Sequence, residues 1–363
     1  MKIREIINEL ERVAPPMLQE SYDNSGLIVG APDWETQGIL VALDCIESVV
    51  DEAIAKNIKL VVAHHPIVFS GLKRFNGSNY IQRVVMKAIK HDVAIYAIHT
   101  NLDNVLWGVN AKIMELLGVN DHEILSPMKG ALKKFQVYVP KGHEEELAEA
   151  IYQGGGGKVS DYEECSFTTE GTGTFKGTAG TNPVIGEVGK REYVQEYKLE
   201  FIVPNFAAST VERAARAAHP YEEMAYEWLA LENVATQYGA GAVGNLSNPM
   251  PFEEFLKSVK TAFGTTIKFT APVAEMVERV AVCGGSGSFL LGAAKGSGAQ
   301  VFITADYKYH QFFDAENSIS ILDIGHFESE RFTIDLIAEM LSKKFPKFAV
   351  LKTEVNTNPI QYY

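Results

Sequence analysis

Cysteine is scarce in this sequence, and its scarcity argues against two classes of protein. Only Cys45, Cys165 and Cys283 occur among the 363 residues, far apart and odd in number. They provide neither a disulfide framework nor the paired spacing of a zinc knuckle. Isolated cysteines of this kind are typical of small buried hydrophobes in a reducing compartment. We therefore expect a cytoplasmic protein.

Long apolar runs and runs of basic residues are also missing. No uninterrupted apolar stretch approaches the ~20 residues that a membrane span requires. The first 13 residues, MKIREIINELERV, have helical periodicity but lack the apolar centre of a signal peptide. The 33 Lys and Arg residues are outnumbered by 46 Asp and Glu, which gives a formal net charge of −13. Because no apolar run is long enough, we expect no membrane partner. Because an acidic surface repels phosphate backbones, we expect no nucleic-acid partner.

Short apolar runs rich in Val and Ile are present, and they alternate with amphipathic helical segments. Most of these runs show little alternation of their own, which is typical of strands buried on both faces. A strand–helix alternation of this kind predicts an α/β fold with a mainly parallel sheet and helices on both faces. The six predicted strands are residues 38–43, 59–63, 93–98, 277–283, 299–304 and 318–324.

The pattern changes between the third and fourth predicted strands. Residues 128–235 show strand and helix signals in the order β-α-β-β-α-β, which is the order of a ferredoxin-like unit. The chain also exceeds the length at which a single core usually keeps growing. We therefore expect a discontinuous α/β core, residues 1–127 and 236–363, into which a ferredoxin-like α+β domain of residues 128–235 is inserted.

Polar side chains follow the predicted strands of the core, where parallel α/β sheets usually bind their ligands. Taken singly, each signal is ambiguous. Adjacent residues of a strand point to opposite faces, so His64 and His65 can serve one site only where the strand has ended, before Pro66. Their shared placement at strand ends favours a joint site. The residues concerned are Asp44, His64, His65, His99, Asp103, Asp306, His310, His326 and Glu330.

Five of these residues form a candidate ligand set for metal ions. His326 and Glu330 are four residues apart on a predicted helix and therefore share a face, although a plain surface pair has the same spacing. Asp103 is equally compatible with a cap or turn residue. Together with His64 and His65 they exceed the three protein ligands of one catalytic zinc.

The same set suits two divalent ions ~3.5–4 Å apart. Nitrogen and oxygen ligands permit zinc, iron, manganese, cobalt or nickel, and we expect zinc or iron first.

The remaining strand-end residues have two interpretations each. His99, Asp306 and His310 are candidates for proton transfer or substrate contact, with structural hydrogen bonding as the alternative, and we assign catalytic roles to His99 and Asp306. Asp44 is either an acceptor that orients a liganding imidazole or a helix cap. The glycine-rich loop at residues 284–287 is either a phosphate cradle or, as we prefer, a tight turn.

Six motifs follow one another along the core: YDNSGL at 22–27, AHHP at 63–66, HTNLD at 99–103, GGSG at 284–287, TAD at 304–306 with His310, and GH at 325–326 through Glu330. Together they resemble the Nif-three-like family, whose members are often named GTP cyclohydrolase I type 2 homologues. The resemblance spans the whole core in order. It implies that His64, His65, Asp103, His326 and Glu330 hold two metal ions, that six copies form a ring, and that the insert is similar to CutA/PII-like domains.

The activity that the resemblance implies is opening of the GTP imidazole ring by a metal-bound hydroxide, with release of formate. We therefore expect a metal-dependent hydrolase acting on a nucleotide or another anionic small molecule. The alternative is a metal-binding scaffold or regulator without turnover, whose inserted domain binds a ligand or partner.

Overall fold

The computed structural model describes residues 1–363, and their internal contacts divide the chain into two units. The core unit consists of residues 1–126 and 237–363, and the second unit of residues 127–236. None of the helices is both long and apolar enough to cross a bilayer.

The first sheet of the core unit has five strands. Its central strands consist entirely of buried residues, because Val, Leu, Ile and Ala cover both faces. The three neighbouring pairs among the last four strands are parallel, whereas the first strand runs antiparallel to its neighbour. In spatial order the strands are β1 (Gly26–Val29), β4 (Ala94–Ala97), β3 (Leu60–Ala63), β2 (Gly38–Ala42) and β15 (Ala349–Lys352).

The second sheet of the core unit has six strands. In spatial order the strands are β11 (Lys268–Phe269), β14 (Ser320–Asp323), β13 (Val301–Ala305), β12 (Met276–Ser286), β10 (Ala235–Pro251) and β5 (His122–Met128). The central pairs, β14–β13 and β13–β12, are parallel, and the pairs β11–β14 and β12–β10 are antiparallel.

Nine helices belong to the core unit, and local chemistry sets several of their ends. The side chain of Asn79 accepts the amide of Gln82 and so caps the helix that starts at Tyr80. Gly264 ends another helix in the left-handed conformation. The helices are α1 (Ile3–Val13), α2 (Glu47–Ala55), α3 (Tyr80–Lys90), α4 (Thr100–Asp103), α5 (Val109–Leu116), α8 (Phe252–Phe263), α9 (Leu291–Gly296), α10 (His326–Glu330) and α11 (Thr333–Lys344).

The second unit has its own sheet and its own hydrophobic cluster. Phe135, Val137 and Phe201 are buried in that cluster, together with Leu147 and Val211 from its two helices. In chain order the elements are β6 (Leu132–Pro140), α6 (Glu144–Gln153), β7 (Phe167–Lys176), β8 (Arg191–Pro204), α7 (Ala208–Ala218) and β9 (Tyr226–Ala230). The strands lie in the sheet in the order β7-β8-β6-β9, and each neighbouring pair is antiparallel.

The α/β class with helices on both sides is confirmed, but the expectation of a single sheet is wrong. The six predicted strands are all present as β2, β3, β4, β12, β13 and β14, divided equally between two sheets. A run of Val and Ile indicates that a strand is buried, but it does not indicate which strand pairs with it. The helix predicted from His326 onwards is also interrupted, since α10 ends at Glu330 and α11 begins at Thr333.

The second unit should be removable from the chain. Strands β5 and β10, by which the chain leaves and re-enters the core unit, are neighbours in the second sheet. Replacing residues 129–234 by a short Gly/Ser linker should therefore preserve a core that unfolds cooperatively and binds metal, as measured by thermal circular dichroism and metal analysis. Loss of metal from a still folded core would contradict the expected independence of the site from the insert.

Candidate metal centre

Residues from both sheets of the core unit meet at one cluster of imidazoles and carboxylates. The histidines that follow β3 and β4 come from the first sheet, and α10, which follows β14, supplies residues from the second. In each case the polar residues come after a buried strand has ended at the edge of its sheet, which is where parallel sheets bind ligands. Three groups of side chains could hold an ion: His64, His65 and His99; His65, His326 and Glu330; and His64, Asp103 and Glu330.

His64 is completely buried and has one nitrogen available for a cation. Its Nδ1 donates to the carbonyl oxygen of Ile98 at 2.8 Å, so its Nε2 carries the lone pair. That Nε2 has no hydrogen-bond partner and lies 3.7 Å from Oδ1 of Asp103 and 3.9 Å from Oε1 of Glu330. Burial lowers the pKa of His64 to about 4, which keeps the ring neutral and able to ligate.

His65 is held at both of its ring nitrogens. Nδ1 donates to Oδ1 of Asp44 at 2.7 Å, and Nε2 lies 2.9 Å from Oε2 of Glu330. Burial alone would lower the pKa of His65, but these two carboxylates outweigh it and raise the pKa to about 9. Asp44 therefore orients a candidate ligand, and it is not a helix cap, because the N-cap of α2 is Ile46.

His326 has the same arrangement on the side of the second sheet. Nδ1 donates to Oδ2 of Asp306 at 2.7 Å, and Nε2 lies 3.0 Å from Oε2 of Glu330, one helical turn away. Burial acts to lower the pKa of His326, but the charge of Glu330 and the bond to Asp306 raise it to about 11. Asp306 adopts a left-handed backbone with φ of 59°, a conformation that Asp tolerates better than most residues.

His99 is the fourth imidazole of the cluster, and Asp23 holds it. Nδ1 of His99 donates to Oδ1 of Asp23 at 2.7 Å, which leaves Nε2 for the cavity. Asp23 also accepts from the amides of Asn24 and Thr100 and from the hydroxyl of Ser25. Although burial acts to raise the pKa of Asp23, the hydrogen bonds from His99 and from the hydroxyl of Thr100 hold it well below its ordinary value.

The orphaned atoms of the cluster test whether a cation fits. Oδ1 of Asp103 and Nε2 of His64 are both buried without a hydrogen-bond partner, which is costly unless something satisfies them. Burial and the charge of Glu330 raise the pKa of Asp103 well above its usual range, whereas the nearby charge of His326 outweighs burial and lowers that of Glu330. Buried lone pairs without a partner, converging on one cluster of imidazole and carboxylate groups, are what divalent cations require, so the residues fit such ions.

Gly285 lets the second sheet approach Glu330 closely. Its φ is 59°, and a Cβ at this position would collide with Oε1 of Glu330 and lie 3.2 Å from Cε1 of His326. The surrounding loop is a tight turn and not a phosphate cradle. The amides of Gly284, Gly285 and Gly287 are already donated to the side chains of Asn110, Ser329 and Thr304.

A cavity of about 370 Å³ opens above the cluster, which is enough space for a small molecule. Three partly exposed aromatic residues, Tyr22, Phe69 and Phe289, line it together with His99 and Asp103. The rings of Tyr22 and Phe69 stack with centroids 6.2 Å apart. No Lys or Arg is among the residues that line the cavity.

The structure brings together most, but not all, of the predicted site residues. His64, His65, His99, Asp103, His326 and Glu330 meet at the cluster, and Asp44 and Asp306 adjoin it. His310 is exposed and packs against Tyr309 and Phe313 instead. Sequence reasoning gave no role to Asp23, because an Asp before Asn and Ser has the signature of a turn. Of the aromatic residues of the cavity, Phe69 and Phe289 carried no signal in the sequence, and Tyr22 appeared only as part of the YDNSGL motif.

The close approach at Gly285 can be tested by a single methyl group. Gly285→Ala should reduce metal affinity at least tenfold, because the left-handed backbone costs about 1–2 kcal/mol for alanine and the methyl displaces the Glu330 carboxylate. Chelator competition measures the affinity. Gly292→Ala is the matched control, since nothing lies within 4 Å of its Cβ position. Equal affinities of the two variants would show that the contact does not shape the site.

Comparisons with known proteins agree over nearly the entire chain. The family described as Duf34/NIF3 (NGG1p interacting factor 3) matches residues 1–359. A Bacillus subtilis protein named GTP cyclohydrolase 1 type 2 homolog is 37% identical over 366 residues, covering 99% of this chain and 98% of that protein. A protein of the same name from Halalkalibacterium halodurans is 38% identical over 364 residues, covering 98% of each.

The solved structures agree with the sequence match. The crystal structure of a Bacillus cereus protein related to NIF3 has a TM-score of 0.86 and 34% identity, and covers 100% of this chain and 99% of that one. A Staphylococcus aureus crystal structure has a TM-score of 0.77 and 29% identity at the same coverage. Since the family match, the identities and the fold all extend from one end of the chain to the other, this protein is a member of the Duf34/NIF3 family.

Proposed function

We propose that this protein is a metal-dependent hydrolase of a nucleotide-like substrate, with two divalent cations in the cluster. His64, His65, Asp103, His326 and Glu330 would hold the ions; their nitrogen and oxygen donors suit zinc or iron, which we expect first, and also permit manganese, cobalt or nickel. The observation that carries the proposal is the pair of buried, unsatisfied lone pairs on His64 Nε2 and Asp103 Oδ1, which lie 3.7 Å apart.

Bound divalent cations would supply Lewis acidity and an activated water in such a site. The chain's own residues contribute orientation and proton transfer. Asp23 fixes the ring of His99 so that Nε2 faces the cavity, where it can accept or return a proton. Asp306 holds Nδ1 of His326, and this contact supports an orienting role in addition to the catalytic role expected from the sequence.

The cavity supports a substrate that has a flat ring. Tyr22, Phe69 and Phe289 are 59%, 48% and 63% exposed, so their faces are available to stack on a heterocycle. Because no Lys or Arg lines the cavity, the attraction for an anionic substrate would have to come from the cations. The relatives named GTP cyclohydrolase 1 type 2 homolog carry a label of the same chemical class, and we extend that class to this chain as part of the proposal.

We further propose that the second unit is a ferredoxin-like insert. Its β-α-β-β-α-β order and its sheet order β7-β8-β6-β9 support this assignment. Its separate hydrophobic cluster also favours the alternative function, a metal-binding regulator whose insert binds a ligand without turnover. Nucleotide binding to the isolated insert, with no turnover by the whole protein, would favour the regulator over the hydrolase.

Alanine variants of four residues separate metal binding from catalysis. His65→Ala and Asp103→Ala should lose metal and turnover together, because each removes a proposed ligand. At saturating metal, His99→Ala and Asp306→Ala should keep their ions and lose ~10²-fold or more in rate, as expected for proton transfer. Asp306→Ala should also need more metal for saturation, because Asp306 orients the ring of His326. Metal stoichiometry and GTP turnover are measured on the same samples.

The control for these variants is His91→Ala, because His91 is an exposed residue at the end of α3, away from the cluster. It should match the unmodified protein in both measurements. Full activity in metal-free His65→Ala protein would refute the hydrolase proposal. Loss of an ion from His99→Ala would instead make His99 a ligand, an arrangement that the group formed by His64, His65 and His99 permits.

The quaternary structure proposed from the family resemblance is a ring of six copies. Sedimentation at micromolar concentration should therefore give a species of six times the 40.0 kDa chain mass. A sedimenting species of the single-chain mass would refute the hexamer and leave the metal site within one chain unaffected.

A further inference from the structure

The segment that follows β15 passes from the first sheet to the edge of the metal cluster. The backbone fixes the start of the segment on the first sheet, because the amide of Thr353 donates to the carbonyl of Val41 at 2.9 Å. The hydroxyl of Thr353 donates separately to Glu52. Val355 then packs on the hydrophobic cluster of that sheet. Thr357 is only 8% exposed, so its hydroxyl requires a partner within the protein.

The hydroxyl of Thr357 finds that partner in Asp44. It donates to Oδ2 at 2.7 Å, while the other oxygen of the same carboxylate accepts Nδ1–H of His65 at 2.7 Å. Both oxygens of Asp44 are therefore held, and the carboxylate cannot turn about its last bond without breaking one contact. A continuous chain of hydrogen bonds thus runs from Thr357 through Asp44 and His65 to Glu330 at the centre of the cluster.

The next residue along the segment contacts the other side of the cluster. The side-chain amide of Asn358 donates to Oε1 of Glu328 at 3.1 Å, and Glu328 lies on α10 between His326 and Glu330. Thr357 is thus bonded to Asp44, the partner of His65 on the first sheet. Asn358, the next residue, is bonded to α10, the helix that supplies candidate ligands on the side of the second sheet. This double attachment limits the freedom of Thr357 itself.

We propose that Thr357 is a positioning residue of the metal centre, which fixes the orientation and the protonated nitrogen of His65 by holding Asp44. The proposal rests on the proposed function, because it needs His65 to be a ligand. A liganding imidazole depends on the acceptor at its other nitrogen, and loss of such a partner typically costs about 10–100-fold in metal affinity. Thr357 acts one hydrogen bond further out, so we expect the lower end of that range.

Three substitutions in one segment test the proposal. Thr357→Val removes the hydroxyl and keeps the shape, Thr357→Ser restores the hydroxyl, and Thr353→Val is the matched control at a threonine bonded to Glu52 away from the cluster. Co²⁺ is titrated against a chromophoric chelator, and the visible absorption of bound Co²⁺ reports ligand geometry. Thr357→Val should bind one Co²⁺ about tenfold more weakly and show an altered spectrum. Thr357→Ser and Thr353→Val should resemble the unmodified protein.

Identical affinity and spectrum for Thr357→Val and Thr353→Val would overturn the proposal. Crystal structures of the metal-free proteins separate this failure from failure of the proposed function. The Asp44 carboxylate should turn away from His65 in Thr357→Val and stay in contact in Thr357→Ser. An unchanged Asp44–His65 contact in Thr357→Val would refute the positioning role, even if the unmodified protein took up no Co²⁺ and the hydrolase proposal had to be abandoned.

Discussion

The buried carboxylate of Glu330 is the constraint on which the centre of this molecule depends. It is only 2% exposed, and a charge taken so far out of water is tolerated only when it is paired. Imidazoles from both sheets surround it, His65 at 2.9 Å and His326 at 3.0 Å. At the site, the contacts between the two sheets are therefore ionic ones made through Glu330. Gly285 has to be glycine for the same reason, because any side chain there would enter the space of the carboxylate.

A second regularity is that each of the four imidazoles has an acceptor at Nδ1. The acceptors are the carbonyl of Ile98 and the carboxylates of Asp23, Asp44 and Asp306. This pattern orients every ring and directs every Nε2 towards the cluster, so the geometry of the proposed site is set before any ion or substrate arrives. Pre-organisation of this kind reduces the cost of binding, because the rings have little freedom left to lose.

The sequence predicted the strands well and the way they assemble poorly. Runs such as residues 59–63 indicate burial, which is a local property, and all six predicted strands exist. Their division between two sheets depends on pairings between distant segments, for which no single run carries a signal. The strand-end rule still located the cluster because it applies to each sheet separately. The role of Asp23 in holding His99 could not be predicted, because its contacts to His99 and Thr100 span more than 70 residues, whereas its local sequence indicates a turn.

The separation of the cluster's residues along the chain also bears on how the protein is made. His65 and Glu330 are 265 positions apart, and Asp44 and Thr357 are 313 apart. During synthesis the histidines of the first sheet emerge long before the carboxylate that they surround, and the edge strand β15 emerges later still. A nascent chain therefore exposes His64 and His65 without Glu330 or the hydrogen bonds that later limit the freedom of their rings. The complete cluster can form only after translation has passed α10, so an ion that needs the whole cluster can bind only to a nearly finished polypeptide.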